Sequence, residues 1–153
     1  MYYRLEILPV SAEAAAYYTN IKERDDGNAG FDLYCPIDGD VVPIPTLLSL
    51  GVKARLVKVS ECEEIDSHYW LLPRSSIYKT GFVMANSVGV IDKTYRGELK
   101  APIYSIGASA VVKTGERYFQ IVAPDMGWIK EVRIVSELHE TARGAGGFGS
   151  TGK

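Results

Sequence analysis

The chain has 153 residues, a length typical of one domain with a single buried core. Its composition, 46% hydrophobic and 24% charged, is that of a globular protein in water, and a formal net charge of −2 gives no overall basic field for nucleic acid. The sequence has no apolar run near the roughly 18 residues that a membrane-spanning helix needs and no signal-peptide pattern, so we expect neither nucleic acid nor a membrane as a partner.

The predicted secondary structure begins with "YRLEIL", where Tyr3, Leu5 and Ile7 alternate with polar residues as in a strand. The Ala-rich "SAEAAAYY" is compatible with one or two helical turns, but its position before a polar, turn-rich stretch favours a surface excursion. Gly, Pro, Asn or Asp separates nearly all of the later strand candidates. In chain order these are "FDLYC", "LLSLGVKARLVKV", "HYWLL", "GFVMA", "GELKAPIYSI", "SAVVKT", "RYFQIVAP" and "KEVRIVSEL".

Two connecting segments carry predictions of their own. "NSVG" predicts a hairpin turn between "GFVMA" and "VID". The acidic "SECEEIDS" predicts a solvated loop, with a cation site as the alternative. Because short strands follow one another at even spacing and no long helical pattern competes with them, the sequence predicts an all-β sandwich or barrel.

Cysteine and histidine usage points away from a disulfide framework and from a zinc site. Cys35 and Cys62 do not form a close-spaced ligand set, and we expect free thiols in a reducing compartment, the cytoplasm or the nucleus. The only two histidines, His68 and His139, are too widely spaced to predict a histidine-ligated zinc ion.

Polar residues follow or interrupt several of the predicted strands. In "AGFDLY", Asp32 stands inside a strand pattern where Asp is unfavourable, and it predicts either an edge residue bonded to backbone or a carboxylate near a cation. In "PRSSIYKTG", Arg74, Ser75 and Ser76 follow an apolar strand. A short helix that opens there would offer N–H groups, hydroxyls and a guanidinium to phosphate oxygens, and an ordinary N-cap turn is the alternative.

Three more stretches have a polar residue with two readings. Asp92 follows "GVI" in "GVIDKTYRGELK" and predicts either an Asx turn or a carboxylate that orients a water or binds a sugar hydroxyl. Gln120, inside the apolar strand "RYFQIVAP", needs hydrogen-bond partners, which core packing alone would explain. The C-terminal "RGAGGFGSTGK" resembles a phosphate-binding loop only loosely, and a frayed terminus is the alternative.

Taken in order, the motifs "AGFDL", "PRSS", "GVIDKTYRGE", "RYFQ" and "RGAGGFGSTG" are similar to those of the homotrimeric dUTPases, the dUTP diphosphatases. The resemblance runs from Ala29 to Gly152, and the third and fifth motifs are the most specific. It implies an all-β jelly-roll barrel or sandwich over residues 1–142, followed by a flexible Gly-rich tail over residues 143–153. It also implies a homotrimer in which each active site is built from more than one chain.

The resemblance further implies a reaction, the hydrolysis of dUTP to dUMP and pyrophosphate by attack of water on the α-phosphorus, with Mg²⁺ bridging the triphosphate oxygens. Asp92 would orient or deprotonate the water, and Asp32 would lie near the metal, through water. The residues that would hold phosphates are Arg74, Ser75, Ser76 and Gln120.

Recognition of the nucleoside would come from the segment "ANSVGVI" and from the tail. Tyr95 would pack under the sugar and leave no room for a 2′-hydroxyl, and the tail would close on the substrate as a lid. The residues that would read uracil are Asn86, Gly89, Val90 and Ile91. The tail residues that would contact phosphates or the uracil ring are Arg143, Phe148, Gly149, Ser150 and Thr151.

Two other functions stay open at this point. A dCTP deaminase, alone or combined with dUTPase activity, is the nearest alternative on the same fold, although those deaminases use a glutamate in the nucleoside pocket where this chain has "GVIDKTY". A regulatory protein that uses the same scaffold and tail to bind a partner is the alternative from a different functional class.

Overall fold

The computed structural model describes residues 1–19 and 23–149, and strands form most of the regular structure there. The strands are β1 (Tyr2–Pro9), β2 (Gly30–Tyr34), β3 (Gly39–Val41), β4 (Thr46–Ser49), β5 (Val52–Val59), β6 (Glu64–Ser67), β7 (Tyr69–Pro73), β8 (Phe82–Met84), β9 (Gly89–Ile91), β10 (Lys100–Ser105), β11 (Ala110–Val112), β12 (Arg117–Val122) and β13 (Ile129–Ile134). The all-β prediction is therefore confirmed.

Helical structure in the described residues is short. The helix α1 (Ala12–Ala15) runs into a 3₁₀ helix (Ala16–Tyr18), so "SAEAAAYY" forms the helical turns rather than only a surface excursion, and Ala14 and Tyr18 are buried. The Ser11 hydroxyl caps α1 by accepting the N–H of Ala14 at 3.1 Å. A second 3₁₀ helix (Ser75–Lys79) follows β7, as the "PRSS" motif predicted. Within the described residues, no helix is long and apolar enough to cross a membrane.

The strands pair into four sheets. Their orders are β13-β1-β5-β6, β4-β10-β8, β11-β3 and β2-β12-β7-β9. The buried apolar side chains form one cluster, in which Leu5, Ile7, Leu56, Phe82 and Ile121 are almost fully inaccessible to solvent. The last of the four sheets carries Asp32, Gly89, Val90, Ile91 and Gln120, and Arg74 and Asp92 directly follow two of its strands, so its register positions the site.

The predicted strand "LLSLGVKARLVKV" is two strands in different sheets. The break lies at Gly51, whose φ of +74° few other residues adopt, and a side chain there would also meet Pro36 at 3.1 Å. β4 before the break pairs with β10, and β5 after it pairs with β1.

Two predictions for connecting segments were wrong. β8 and β9 flank "NSVG" but do not pair with each other, because β8 pairs with β10 and β9 pairs with β7. The segment is thus a turn between sheets rather than a hairpin. The acidic segment "SECEEIDS" contains β6, which pairs with β5, so only its first half is a loop. The acidic side chains of β6 are exposed or half-buried and paired with arginines: Glu64 with Arg4, and Asp66 with Arg55.

The cysteines are free, as predicted: Cys35 is buried and Cys62 is exposed on the turn between β5 and β6. The short strand β3, which pairs with β11, was not predicted, because "GDV" is too short and too polar for a periodic pattern.

Candidate active site

A cleft of about 820 Å³ lies over the β2–β12 pair, and we call it the arginine cleft. Asp32 on β2 and Gln120 on β12 are directly opposite each other, and Arg74 and Ser75 follow the adjacent strand β7. The structure therefore brings together the first, second and fourth motifs. The residues that line the cleft include Tyr17, Tyr18, Arg24, Phe31, Asp32, Tyr34, Arg74, Ser75, Arg117 and Gln120.

The charge in the arginine cleft is centred on Asp32. One carboxylate oxygen lies 3.1 Å from Nε of Arg74 and the other lies 3.2 Å from Nη1 of Arg117. Both guanidinium groups are partly exposed, and Arg24 adds a third cation to the lining. With three cations around one carboxylate, the cleft carries excess positive charge and suits a polyanion such as a triphosphate.

Arg117 is a cleft residue that the sequence analysis did not identify. Regular alternation along β12 would place residues 117 and 120 on opposite faces, but the register of β12 against β2 shifts between Arg117 and Phe119. This irregularity turns Arg117 toward Asp32 and over the ring of Tyr34, 5.9 Å from its centroid. A sequence pattern gives no signal for such a shift.

Gln120 has the partners that its position in an apolar strand requires. Its Nε2 donates to the carbonyl of Pro73 at 3.2 Å, which links β12 to the end of β7. Its Oε1 lies over Gly30, where an added Cβ would come within 1.8 Å. Gly30 therefore provides the space that lets Gln120 lie across the floor of the cleft.

A second, smaller pocket of about 220 Å³ is formed around Asp92, and we call it the Asp92 pocket. It brings together the third motif, the turn before β9 and the tail. Its walls are mostly apolar side chains and backbone, with few charges. The lining residues are Leu71, Met84, Asn86, Gly89, Val90, Ile91, Asp92, Tyr95, Lys100, Arg143, Gly147 and Phe148.

Tyr95 forms a fixed wall of the Asp92 pocket. Its ring is 9% exposed, and its hydroxyl donates to the carbonyl of Glu98 at 2.8 Å. The chain folds closely around the ring, since a Cβ at Gly97 would lie 2.4 Å from the hydroxyl and one at Gly147 would lie 3.1 Å from the ring. Burial raises the pKa of Tyr95, so the side chain stays neutral at physiological pH.

The described part of the tail lies against the Asp92 pocket of its own chain. Arg143 is paired with Oδ2 of Asp92, and the carbonyl of Gly144 accepts the N–H of Arg96 at 2.6 Å. Phe148 lines the pocket with 57% of its surface exposed. Ser150 and Thr151, which were predicted among the tail residues that contact phosphates or the uracil ring, lie outside the described residues.

Arg96 fixes the turn that carries Asp92 and Tyr95. It is a buried guanidinium, and it donates to the carbonyls of Lys93 and His139 at 2.7 Å and to Asp66 at 3.1 Å. Its partners belong to the turn, to the segment that leads into the tail and to β6. Arg96 thus holds together the two segments that provide Asp92 and Arg143.

Asp92 has a second basic neighbour that the sequence analysis did not assign. His68 Nδ1 accepts the N–H of Lys93 at 3.0 Å and lies 3.7 Å from Oδ1 of Asp92. The pairing of Tyr69 with Ile91 in the β7–β9 ladder explains this position, because extending the register by one residue places His68 beside Asp92.

The arginine cleft and the Asp92 pocket share no lining residue and lie at opposite ends of one strand. Asp92 is beside residue 68 before the start of β7, whereas Arg74 follows its end. Six residues of extended chain span about 20 Å at 3.3 Å per residue. Two of the predicted residues that the structure describes line neither pocket: Ser76 lies in the 3₁₀ helix after β7, and Gly149 lies in the tail.

The side chains that could bind a metal suit an ion that is held largely by the phosphates of a bound nucleotide and by water. Among the described residues, no three His, Cys, Asp or Glu side chains cluster as a complete metal site. The arginine cleft offers one carboxylate, Asp32, together with the amide of Gln120. Mg²⁺ fits this set, since it is commonly bound by one or two carboxylates, phosphate oxygens and retained waters.

The scaffold is all-β, with a cleft that suits a polyanion and a small, largely apolar pocket. A nucleotide-binding protein is the class of protein that fits these features best. The dUTPase family model matches residues 16–152. The deoxyuridine 5′-triphosphate nucleotidohydrolase of Wolinella succinogenes is 38% identical over 130 residues, with 83% of this chain and 82% of the relative covered. That of Rhizobium etli strain CIAT 652 is 39% identical over 133 residues, covering 82% and 80%. The chain belongs to the dUTPase family.

Solved structures confirm the fold. A point mutant of the dUTPase of Staphylococcus bacteriophage 80alpha with dUpNHpp gives a TM-score of 0.56 at 21% identity, covering 97% of this chain and 98% of its own. The native EIAV dUTPase gives 0.53 at 24% identity, covering 77% and 85%. At these identities the likeness concerns the fold alone. The predicted jelly roll is therefore confirmed.

Proposed function

We propose that the chain hydrolyses dUTP to dUMP and pyrophosphate in a site formed by the Asp92 pocket of one copy and the arginine cleft of another. The observation that carries this proposal is the distance between Asp92 and Arg74 within one chain. A carboxylate that directs water to the α-phosphorus and a guanidinium that binds phosphate must both lie within a few Å of one triphosphate. Asp92 and Arg74 are about 20 Å apart along β7, so one chain alone does not bring them together.

Asp92 acts on the attacking water. It follows β9 directly and remains partly exposed at the mouth of its pocket, where a water can reach it. As a carboxylate it accepts a hydrogen bond from the water, aims the oxygen lone pair at the α-phosphorus and takes the proton as the new P–O bond forms. Its pairing with Arg143 fixes one carboxylate oxygen and leaves the other directed to His68 and solvent.

The arginine cleft binds the triphosphate. The cleft provides charged and neutral donors, from Arg74, Arg117, Ser75 and Gln120. The two guanidinium groups neutralise the phosphates during the displacement. Phosphate would replace Asp32 as the partner of Arg74 and Arg117, and Asp32 would then be the residue that holds Mg²⁺ through a water. When it is bound, the metal supplies further charge neutralisation on the triphosphate oxygens.

Selection of a uracil deoxynucleotide takes place in the Asp92 pocket. Asn86 and the backbone of residues 89–91 supply donors and acceptors at one end, and Tyr95 forms the wall under the sugar. The pocket is too small, at about 220 Å³, to admit extra substituents freely. Cytosine presents a donor where uracil presents an acceptor, which leaves buried groups unpaired.

A homotrimer accounts for the shared site. The surface formed by Val42, Ile44, Leu47 and Ile106 is exposed and apolar, with Ile44 and Ile106 each about 70% exposed. Its parts are connected, because the N–H of Ser105 donates to the carbonyl of Val42 and β4 pairs with β10. Contact between copies would bury this surface and bring the arginine cleft of one chain to the Asp92 pocket of its neighbour.

Pyrophosphate release tests the reaction. We expect release from dUTP with Mg²⁺ and very little after chelation with EDTA, and much slower release from dCTP and dTTP. Ammonia release from dCTP would instead indicate a deaminase. Absence of turnover with every nucleotide, in a protein that still binds dUTP, would favour the regulatory binding protein.

Mixing two inactive variants tests the shared site. We expect Asp92→Asn and Arg74→Ala to be nearly inactive alone. After joint unfolding and refolding in equal amounts, random assembly should restore about a quarter of the wild-type sites, since a site that takes one residue from each of two chains is intact in that fraction of cases. Mixing either variant with itself is the control. Failure to recover activity, with normal assembly in light scattering, would show that Asp92 and Arg74 act in the same chain.

A further inference from the structure

His68, the basic neighbour of Asp92, has no role in the function proposed above. Its side chain is half exposed, its Nδ1 lies 3.7 Å from Oδ1 of Asp92, and the same nitrogen accepts the N–H of Lys93 at 3.0 Å. One atom therefore has two mutually exclusive partners. A lone pair on Nδ1 is needed for the bond with Lys93, whereas a proton on Nδ1 is needed for an ion pair with Asp92.

We propose that His68 is a positioning residue for Asp92, which holds the turn after β9 in its working geometry only while the imidazole is neutral. The proposal rests on the function assigned to Asp92 above. In the neutral form, the bond from Lys93 fixes the backbone one residue after Asp92 and sets the tautomer of His68, with the proton on Nε2. The carboxylate then has one cationic partner, Arg143, on Oδ2 and a free oxygen for water.

Protonation of His68 changes both features. The imidazolium no longer accepts the N–H of Lys93, so the turn loses this anchor. It also places a second positive charge next to Asp92, on the oxygen that Arg143 leaves open. A carboxylate held between two cations is a weaker proton acceptor and less free to bind water. Protonation of His68 should therefore lower the activity, and the range of lower pH, in which an imidazole gains a proton, is where the effect is measured.

The other charged groups around His68 do not account for a decrease in activity at lower pH. Arg143 and Arg96 remain charged throughout this range, and Lys93 contributes its backbone rather than its ammonium to the contact. The Asp66 carboxylate, two residues before His68, is paired with Arg55 and Arg96. The charged side chains on the segments that meet around His68 are Asp66, Asp92, Lys93, Arg96 and Arg143.

The chain offers matched variants for a test. Asn in place of His68 can keep an acceptor near the position of Nδ1 but does not titrate, so His68→Asn separates anchoring from charge. His68→Ala removes both. The only other histidine, His139, has an exposed side chain that lines neither pocket, and only its backbone carbonyl contacts Arg96, so His139→Asn is the control.

We expect kcat of the wild type, measured as pyrophosphate release from saturating dUTP, to fall at least about threefold between pH 7.5 and pH 5.5. His68→Asn should keep kcat nearly constant over this interval, and His139→Asn should behave as the wild type does. His68→Ala should have a lower kcat at pH 7.5 with an unchanged melting temperature, because the turn has lost its anchor. Circular dichroism of each variant verifies folding.

Two results would overturn the proposal. One is an unchanged acid decrease in His68→Asn, which would assign it to another group. The other is wild-type kcat at pH 7.5 in His68→Ala, which would show that the anchor has no effect. Asp92→Asn is measured alongside. If that variant keeps full turnover, the function assigned to Asp92 fails, whereas a loss of turnover there together with an unchanged profile in His68→Asn overturns only the inference about His68.

Discussion

The arginine cleft and the Asp92 pocket are built from the same sheet but in different ways. The cleft takes its charges from residues far apart in sequence, Asp32, Arg74 and Arg117, which only strand pairing brings together. The pocket takes half of its lining residues from one stretch, residues 86–95, and is closed by the tail. The cleft is open and cationic, whereas the pocket is small and largely apolar. In the proposed function, binding of phosphate and recognition of the base are thus separate tasks, and variants should divide along that line.

Asp92→Asn should have the largest effect. The amide keeps the shape but does not take a proton, so we expect kcat for dUTP to fall roughly 10²–10⁴-fold while dUTP still binds. Turnover and equilibrium binding of a non-hydrolysable analogue measure the two effects. The same substitution at the exposed Asp40, outside both sites, is the control. Near-normal turnover would show that another group directs the water.

Removal of residues 143–153 should be nearly as severe. The truncation deletes the partner of Asp92, Arg143, and the exposed ring of Phe148, and we expect a loss of roughly 10²–10³-fold in kcat/KM. The core loses little buried surface, so the melting temperature should change by only a few degrees. Large destabilisation would mean that the tail is part of the fold rather than a lid.

Arg74→Lys tests the cleft. Lysine keeps the charge but lacks the planar guanidinium, whose Nε lies 3.1 Å from Asp32 and which binds phosphate in our proposal. We expect KM for dUTP to rise roughly 10–100-fold, the range for a lost charge-assisted hydrogen bond, with the preference for dUTP over dCTP unchanged. If the base preference changed as well, the cleft and the pocket would not be independent.

Tyr95→Ala tests the Asp92 pocket. Removing the ring opens the wall of the Asp92 pocket, so the preference for dUTP over UTP should fall by about tenfold or more. Tyr95→Phe, which loses only the bond to Glu98, should keep that preference. Relative kcat/KM for the two nucleotides is the measurement, and an unchanged ratio in Tyr95→Ala would refute the steric role of the ring.

The two sites also differ in how far the sequence predicts them. The pocket was largely predictable, because Asn86, Asp92 and Tyr95 lie within ten residues of one another. In the cleft, Arg74 and Asp32 were predicted from their own motifs, but Arg117 was not, since its direction depends on a register shift against β2. His68 was missed for a similar reason: only the pairing of β7 with β9 places it beside Asp92.

The fold shows the same limit. The alternation of apolar residues predicted most strands, including β1 and β12. β6 was predicted as a loop because its acidic residues suggest solvent, and their arginine partners lie on β1, β5 and the turn after β9. Turn residues predicted the bend at "NSVG" between β8 and β9 but not the strands with which these two pair, because pairing partners are set by tertiary packing rather than by local sequence.

A matched pair of glycines gives the smallest and most discriminating test. Neither Gly30 nor Gly89 has a positive φ, so Ala fits both backbones and differs only in what its Cβ meets. At Gly30 the Cβ meets Oε1 of Gln120 at 1.8 Å, the end of a flexible side chain. Gly30→Ala should therefore expel Gln120 from the floor of the cleft and reduce kcat/KM for dUTP with little change in melting temperature.

At Gly89 the Cβ meets the backbone carbonyl and Cβ of Leu71 at 3.2 Å, inside the β7–β9 ladder. These atoms have little room to move, so Gly89→Ala should lower the free energy of unfolding by about 1–3 kcal/mol and narrow the Asp92 pocket.

A double-mutant cycle completes the design. Gly30→Ala should add nothing to Gln120→Ala, because both remove the same side chain from the cleft, whereas Gly89→Ala and Gln120→Ala should be additive. Additivity of Gly30→Ala with Gln120→Ala would show that Gly30 acts in the cleft by a route other than making room for Gln120.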